Sequence, residues 1–364
     1  QGTVVDQNGS VVSAAKIVAR NAAVSIERIV ESDNRGHYQI NSLAVGTYSI
    51  EVQAKGFKIK VVEQLEVQVG CTVVQDFSLE VGDINQIINV NSASPLVERA
   101  TVSLGQVIDE TTLQELPLNG RHFLDLGLLV PGSVTPPQSG FISAPLRGQG
   151  FFGLNTAGNR EDTVNILVNG INLNDEVNNI LTFQPPVSSL REFKVENSTL
   201  SAEYGRNSGA VVNVVSRSAT NDWHGEVFEF FRNDVLDARN FFNFTTSKPP
   251  PFKRNQFGAN IGVPIIKNRA YFFFAYEGLR QRQGVDLNSL VLSDVERTLP
   301  LDPIIKRLVE MIPRANFIDN SGSARFVGSA SSKVTLNQWT LDIGYNLTSN
   351  DHLHAYYAYQ GDHR

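Results

Sequence analysis

A mainly β protein is expected from this sequence, and three observations predict it. Short apolar runs broken by glycine and asparagine turns fill the first eighty residues or so. A middle stretch mixes one short helical pattern, glycine-rich loop and further apolar runs, which predicts an α+β unit. Long strands with strict alternation fill the rest. Residues 254–266, RNQFGANIGVPII, place Asn255, Phe257, Ala259, Ile261, Val263 and Ile265 on one parity. Arg254, Gln256, Gly258, Asn260, Gly262 and Pro264 occupy the other. A period of two marks a strand with one apolar and one polar or small-residue face. It does not say which face is wet: the apolar side is the core of a soluble sandwich, but the lipid side of a membrane β-barrel.

Composition narrows the classes. Hydrophobic residues at 41% and charged residues at 19% of 364 residues are those of a folded chain with room for two or three domains. A net charge of −6 gives no ground for a nucleic-acid partner. No apolar run reaches the roughly 18 residues of a transmembrane helix, which leaves a barrel open, since barrel strands are short and half apolar. Cys71, the only cysteine, excludes a disulfide within the chain and argues against a cysteine metal site. Its setting, VQVGCTVVQDF, predicts a small buried hydrophobe on a strand. The chain opens with Gln1 inside a strand-like pattern and ends on AYYAYQGDHR without a closing feature, so a piece of a longer protein is expected.

Residues 1–80 are expected to form a small β-sandwich. Asn8-Gly9 between valine pairs is a hairpin signal, and Asn34-Arg35-Gly36 separates two further strands. Tyr38, Tyr48 and Phe57 are expected in its core. Residues 81–96, VGDINQIINVNSASPL, read as a linker with one apolar patch. In 97–217, DETTLQEL predicts a helix capped by Asp109 and stopped by Pro117, and VNILVNGINL, REFKVEN and GAVVNVVSRS predict strands. In 218–364, strands are expected near 223–232, 254–266, 269–280, 334–347 and 352–361. Their connections alternate long, short, long, short, as in a barrel with tight turns on one side of a membrane and large loops on the other. The second long loop carries capping-box spacing at Ser293 and Glu296, then a helix with Asp302 as N-cap and Pro303 at its first position. Aromatic residues on the apolar parity, Trp339, Tyr345, Tyr357 and Tyr359, favour the interfacial girdle of a barrel over a sandwich core.

Sites of chemistry are few. Gly148-Gln149-Gly150-Phe151-Phe152-Gly153 matches a dinucleotide fingerprint but has no strand before it or helix after it. His224-Gly225-Glu226 lacks the cysteine pair of a zinc deaminase and is expected to start a strand. His352 and His354 share one face and are expected to point into a barrel lumen. Neither catalytic residues, nor a metal, nor a cofactor is expected.

Residues GTVVDQNGSVV, ESDNRGHYQINSLAVGTYSIEVQAKGF and VQDFSLEVG resemble the carboxypeptidase regulatory-like domain, which implies a transthyretin-like sandwich. ELPLNGRHFLDLGLLVPGSV, NILVNGINLND, EFKVENSTLSAEYGRNSGAVVNVVSRSATNDWHGEVFEFFRND and PPFKRNQFGANIGVPIIKNRAYFFFAYEGLRQRQG resemble the plug and opening barrel strands of TonB-dependent receptors, most of all the Oar-like branch. His122 stands where the branch has the second asparagine of NGRNF, and Asn169 where the branch has an acidic residue. The resemblance implies an outer-membrane location, an apolar face in lipid, a periplasmic N-terminal domain and an open sheet here, since plugged barrels use about 22 strands. It implies uptake of a ligand, a carbohydrate or a peptide among the classes left open, energised by TonB through strand addition. Ile87, Ile88, Asn89, Val90 and Asn91 lie where such receptors carry the TonB box, and a linker strand packed on the plug is the other reading of them. Arg206, Asn207 and Ser208, at the last turn of the plug, are a candidate plug–barrel contact or an ordinary turn. A carbohydrate-binding or adhesive surface protein is the alternative function.

Overall fold

The computed structural model describes residues 1–82, 87–91, 103–118, 120–134, 154–160, 163–176, 179, 181–198, 200–205, 208–238, 251–299, 302–319, 321–348 and 351–363. The N-terminal strands are β1 (Gly2–Asp6), β2 (Lys16–Asn21), β3 (Ile26–Glu31), β4 (His37–Tyr38), β5 (Gly46–Gln53), β6 (Ile59–Val67), β7 (Phe77–Leu79) and β8 (Ile87–Asn91). They form two sheets, β4-β1-β7 and β3-β2-β5-β6-β8. Val4, Tyr38 and Phe77 of the first sheet meet Ile17, Tyr48, Ile50, Val52, Val62 and Leu65 of the second in one buried core. The sandwich therefore closes on the aromatic residues expected inside it, with Phe57 packed at its margin. Asn8-Gly9 and Arg35-Gly36 make the expected turns, and both glycines have positive φ.

The plug consists of β9 (Leu104–Ile108), α1 (Glu110–Glu115), β10 (Ser133–Val134), β11 (Asn155–Thr156), β12 (Asn165–Val168), β13 (Ile171–Asn172), β14 (Leu190–Ser198) and β15 (Val211–Ser216). Its main sheet runs β13-β12-β15-β14-β9, with β12 parallel and β14 antiparallel to β15. Asp109 caps α1 by accepting from the Thr112 N–H, as the sequence predicts. Phe123 meets Phe193 edge-on at 5.5 Å between centroids, inside a core completed by Leu113, Val187, Val195 and Val212.

The last sheet contains β16 (His224–Asn233), β17 (Phe252–Ile266), β18 (Ala270–Leu290), β19 (Phe317–Ile318), β20 (Ala324–Asn346) and β21 (His352–His363). Among the described residues its order is β16-β17-β18-β20-β19, with β21 also on β20, so the sheet is open as expected. The connection from β18 to β20 holds α2 (Asp294–Arg297), with the full Ser293–Glu296 capping box, and α3 (Pro303–Met311), capped by Asp302. Two expectations need correction. The loops placed at 233–253 and 281–333 are shorter, because β17 starts at Phe252, β18 runs to Leu290 and β20 begins at Ala324. Pairing carries these strands on where no apolar parity marks them: Gly284 donates to the Pro251 carbonyl at 2.6 Å and Val291 to Ala324 at 3.0 Å. Cys71 lies outside any strand and is only half-buried, because Gly70, at φ 60°, turns the chain just before it.

The chain divides into two compact units. One contains the sandwich, the plug and the strand segments 259–276 and 338–360, and the other contains 228–258, 277–337 and 361–364. In the first unit Asn260, Thr340, Asp342 and Asn346 are buried, while on the opposite parity Ile261, Ile265 and Ile343 are exposed. In the second, Gln256, Glu277 and Gln281 are buried, and Gln256 donates to Glu277 at 2.7 Å. Polar residues in and apolar residues out is the reverse of a soluble sandwich and is the arrangement of a membrane barrel. The question left open by RNQFGANIGVPII is settled: its apolar parity faces outward.

Candidate functional site

The segment Ile87–Asn91 forms a strand, because INQIINVN alternates and lacks proline and charge. It lies parallel to β6, with Ile59, Lys60, Val61, Val62 and Glu63 opposite Ile87, Ile88, Asn89, Val90 and Asn91. It therefore pairs with the sandwich. Among the described residues β8 is the terminal strand of its sheet.

The next connection is between sandwich and plug. Period-two alternation in REFKVEN sends Phe193 and Val195 into the plug core and Glu192, Lys194 and Glu196 to the other face, yet all five are buried. The turn after β6 meets that polar face. Glu192 accepts from the Val69 N–H, and Lys194 Nζ donates to the Gly70 carbonyl at 2.8 Å. Lys194 also pairs with Glu196 at 2.8 Å, with the two side chains 2% and 4% exposed. Burial holds the Glu192 carboxyl above its ordinary range, and the Val69 hydrogen bond offsets part of that shift. Asn213 donates to the Tyr204 hydroxyl at 3.0 Å beside the same ladder.

A second set of bonds ties the plug to the sheet behind it. Ser216, at the end of β15, faces Asp342 Oδ2 at 3.4 Å and receives Asn169 Nδ2 at 2.9 Å. Asp342 is also bonded to His354 at 2.5 Å, and His352 to Asn346 at 2.7 Å, so both histidines sit on the inward parity. Asn260 reaches the Ser188 carbonyl at 3.4 Å, and Tyr356 packs against the plug core. Near the plug exit, the Asn268 N–H donates to Asn221 Oδ1 at 2.7 Å and Asn346 Nδ2 to the Asn268 carbonyl at 3.0 Å. The tight turn between β17 and β18 thus lies beside the plug exit, as the alternation of loop lengths predicts.

Of the predicted contact, Ser208 is exposed in a bend, and Arg206 and Asn207 lie outside the described residues, as does Gly148–Gly153. His224 begins β16, as expected. Glu192, Lys194, Ser216 and Asp342 were not singled out from sequence. The charged alternation in REFKVEN is visible there, but the Val69 partner lies 123 positions away.

Comparison with known proteins bears directly on this arrangement. Residues 1–80 match the carboxypeptidase regulatory-like domain, and residues 215–298 match the outer membrane beta barrel domain. The TonB-dependent transporter Oar of Myxococcus xanthus is 22% identical over 314 residues, which are 82% of this chain and 28% of that protein. In domain content the chain joins a carboxypeptidase regulatory-like domain to outer-membrane beta-barrel strands, and over most of its length it is similar to a TonB-dependent transporter. The crystal structure of the outer membrane transporter YddB from Escherichia coli shares its fold, with a TM-score of 0.50 at 13% identity over 72% of this chain and 34% of that one. The chain thus spans about a third or less of the length of either relative. Sandwich, plug and barrel strands follow one another as in a receptor of the outer membrane, and its relatives are transporters, not enzymes.

Proposed function

We propose that the full-length receptor takes up a ligand across the outer membrane, energised by TonB acting on Ile87–Asn91. The observation that carries this reading is a folded plug hydrogen-bonded to the inward, polar parity of lipid-facing strands. A lumen filled in this way does not pass solute by diffusion, so work must be done on the plug. A strand of alternating apolar residues between sandwich and plug is suited to that role, since strand addition binds through the main chain. Arg206, Asn207 and Ser208 are kept as a further plug–barrel contact that would yield during transport. The carbohydrate-binding alternative is less favoured, because Tyr38 and Tyr48 lie in the sandwich core, where no sugar could stack on them.

Proline at Ile88 removes a main-chain donor and fixes φ. Ile88→Pro in the full-length receptor is expected to abolish TonB-dependent uptake while leaving the receptor folded and surface ligand binding intact. Uptake that survives both this substitution and deletion of TonB would overturn the proposal. Glycan binding by the N-terminal sandwich, with no TonB-dependent transport, would favour the binding module.

A further inference from the structure

The two edges of the larger sandwich sheet differ. At one end β3, IERIVE, carries Glu27, Arg28 and Glu31, and Arg20 of the neighbouring β2 reaches Glu27 at 2.7 Å. Charges of this kind protect an edge strand from pairing with another chain. At the other end β8, IINVN, has no charge and no proline, and no charged residue occurs between Asp83 and Glu98. Five parallel register pairs hold β8 on β6 and leave its far side as the end of the sheet among the described residues. An uncharged, extended, terminal strand is a template for strand addition.

We propose that β8 stays on β6 while a strand of the TonB periplasmic domain pairs with its outer edge. This rests on reading Ile87–Asn91 as the coupling segment. The sandwich is then a splint. It keeps the coupling strand extended and in register, so TonB need not supply the conformational entropy of ordering a free peptide. It also places β6 under the load. Two and three residues beyond the end of β6, Val69 and Gly70 are bonded to Glu192 and Lys194 of the plug, so a pull on β8 has a route into β14 through the sandwich.

The test uses purified full-length receptor in detergent micelles, with the TonB periplasmic domain as probe. In a Cys71→Ser background, Val61→Cys and Asn89→Cys, which are register partners, are bridged by a short reducible cross-linker. The bridged receptor is expected to bind the TonB domain as tightly as the same protein after reduction, while Ile88→Pro weakens binding at least about tenfold. A bridged receptor that binds about tenfold more weakly than its reduced form would overturn the splint and leave the coupling segment standing. Ile88→Pro that binds like the unaltered receptor would remove the coupling segment, and the splint with it. Failure to form the bridge here and at Glu63→Cys with Asn91→Cys would show that β8 does not lie on β6. Light scattering covers the remaining occupant: a receptor dimer that Ile88→Pro dissociates, without TonB binding, would assign the edge to a second copy and refute the proposal.

Discussion

Replacing Lys194 by methionine should loosen the plug where the sandwich meets it. The change keeps the length of the side chain and removes its charge, leaving Glu196 buried without its cation and the Gly70 carbonyl without its donor. Breaking a buried ion pair by removing one partner costs about 3–5 kcal/mol. Because both side chains are almost wholly buried, no large discount for solvent screening applies. The assay is amide hydrogen exchange on the full-length receptor, read on β14 and on the turn at Val69–Gly70. If these amides exchange by local opening, the loss corresponds to acceleration by roughly a hundredfold to several thousandfold. Adding Glu196→Gln removes the stranded charge as well. The double variant should recover most of the loss and retain about 1–3 kcal/mol for the unsatisfied carbonyl. Unchanged exchange in Lys194→Met, or a double variant less protected than the single one, would refute the reasoning.

The Glu192 carboxyl, held above its ordinary range by burial, binds its proton more tightly in the folded state than in the unfolded chain. Its contribution is therefore most favourable in acid and declines as pH rises from the ordinary carboxylate value through the raised one. Glu192→Gln should flatten that part of the stability profile, measured as the difference from the parent receptor in urea unfolding at successive pH values; an identical slope in both would contradict the assignment. Asp342→Ala leaves Ser216 and His354 without their shared acceptor and should weaken plug seating by about 1–3 kcal/mol. The urea concentration at which the reconstituted receptor starts to conduct ions should fall, and an unchanged threshold would exclude a retaining role for Asp342. On the outward parity, Ile261→Arg should cost about 2–4 kcal/mol of folding in lipid vesicles if the residue lies near the bilayer midplane, and a cost under about 1 kcal/mol would place it at the interface or outside lipid.

The barrel strands were legible because lipid imposes a rule that a short run of sequence can display. Phe257, Ala259, Ile261, Val263 and Ile265 alternate with Gln256, Gly258, Asn260 and Gly262 because one side is turned to hydrocarbon and the other inward, where Asn260 reaches the Ser188 carbonyl of the plug. Where the rule stops applying, the reading stopped too. The first part of β20, ARFVGSASSKV, has no sustained apolar parity, yet it is strand because its backbone is paired. The helix caps at Asp109, Ser293 and Asp302 were legible for the opposite reason, since each is decided by a side chain and an N–H two or three residues on.

The coupling strand shows how far such local signals reach. INQIINVN carries enough pattern to say strand, and enough position to suggest a role. A hairpin announces its partner through its turn, but a parallel pair is joined by no turn at all, so nothing near Ile87 points back to Ile59. The same holds for Glu192 and Lys194: three alternating charges on a strand read equally well as a solvated face. They become a buried ladder only because Val69 and Gly70, distant in the chain, bring one backbone donor and one acceptor to the carboxylate and the ammonium. Desolvation makes that meeting consequential, since a charge that would be nearly neutral in energy at the surface is costly to strand once buried. The residues that tie sandwich to plug are therefore defined by their partners more than by their own sequence context, and their replacement should be felt at the Val69–Gly70 turn as well as in β14.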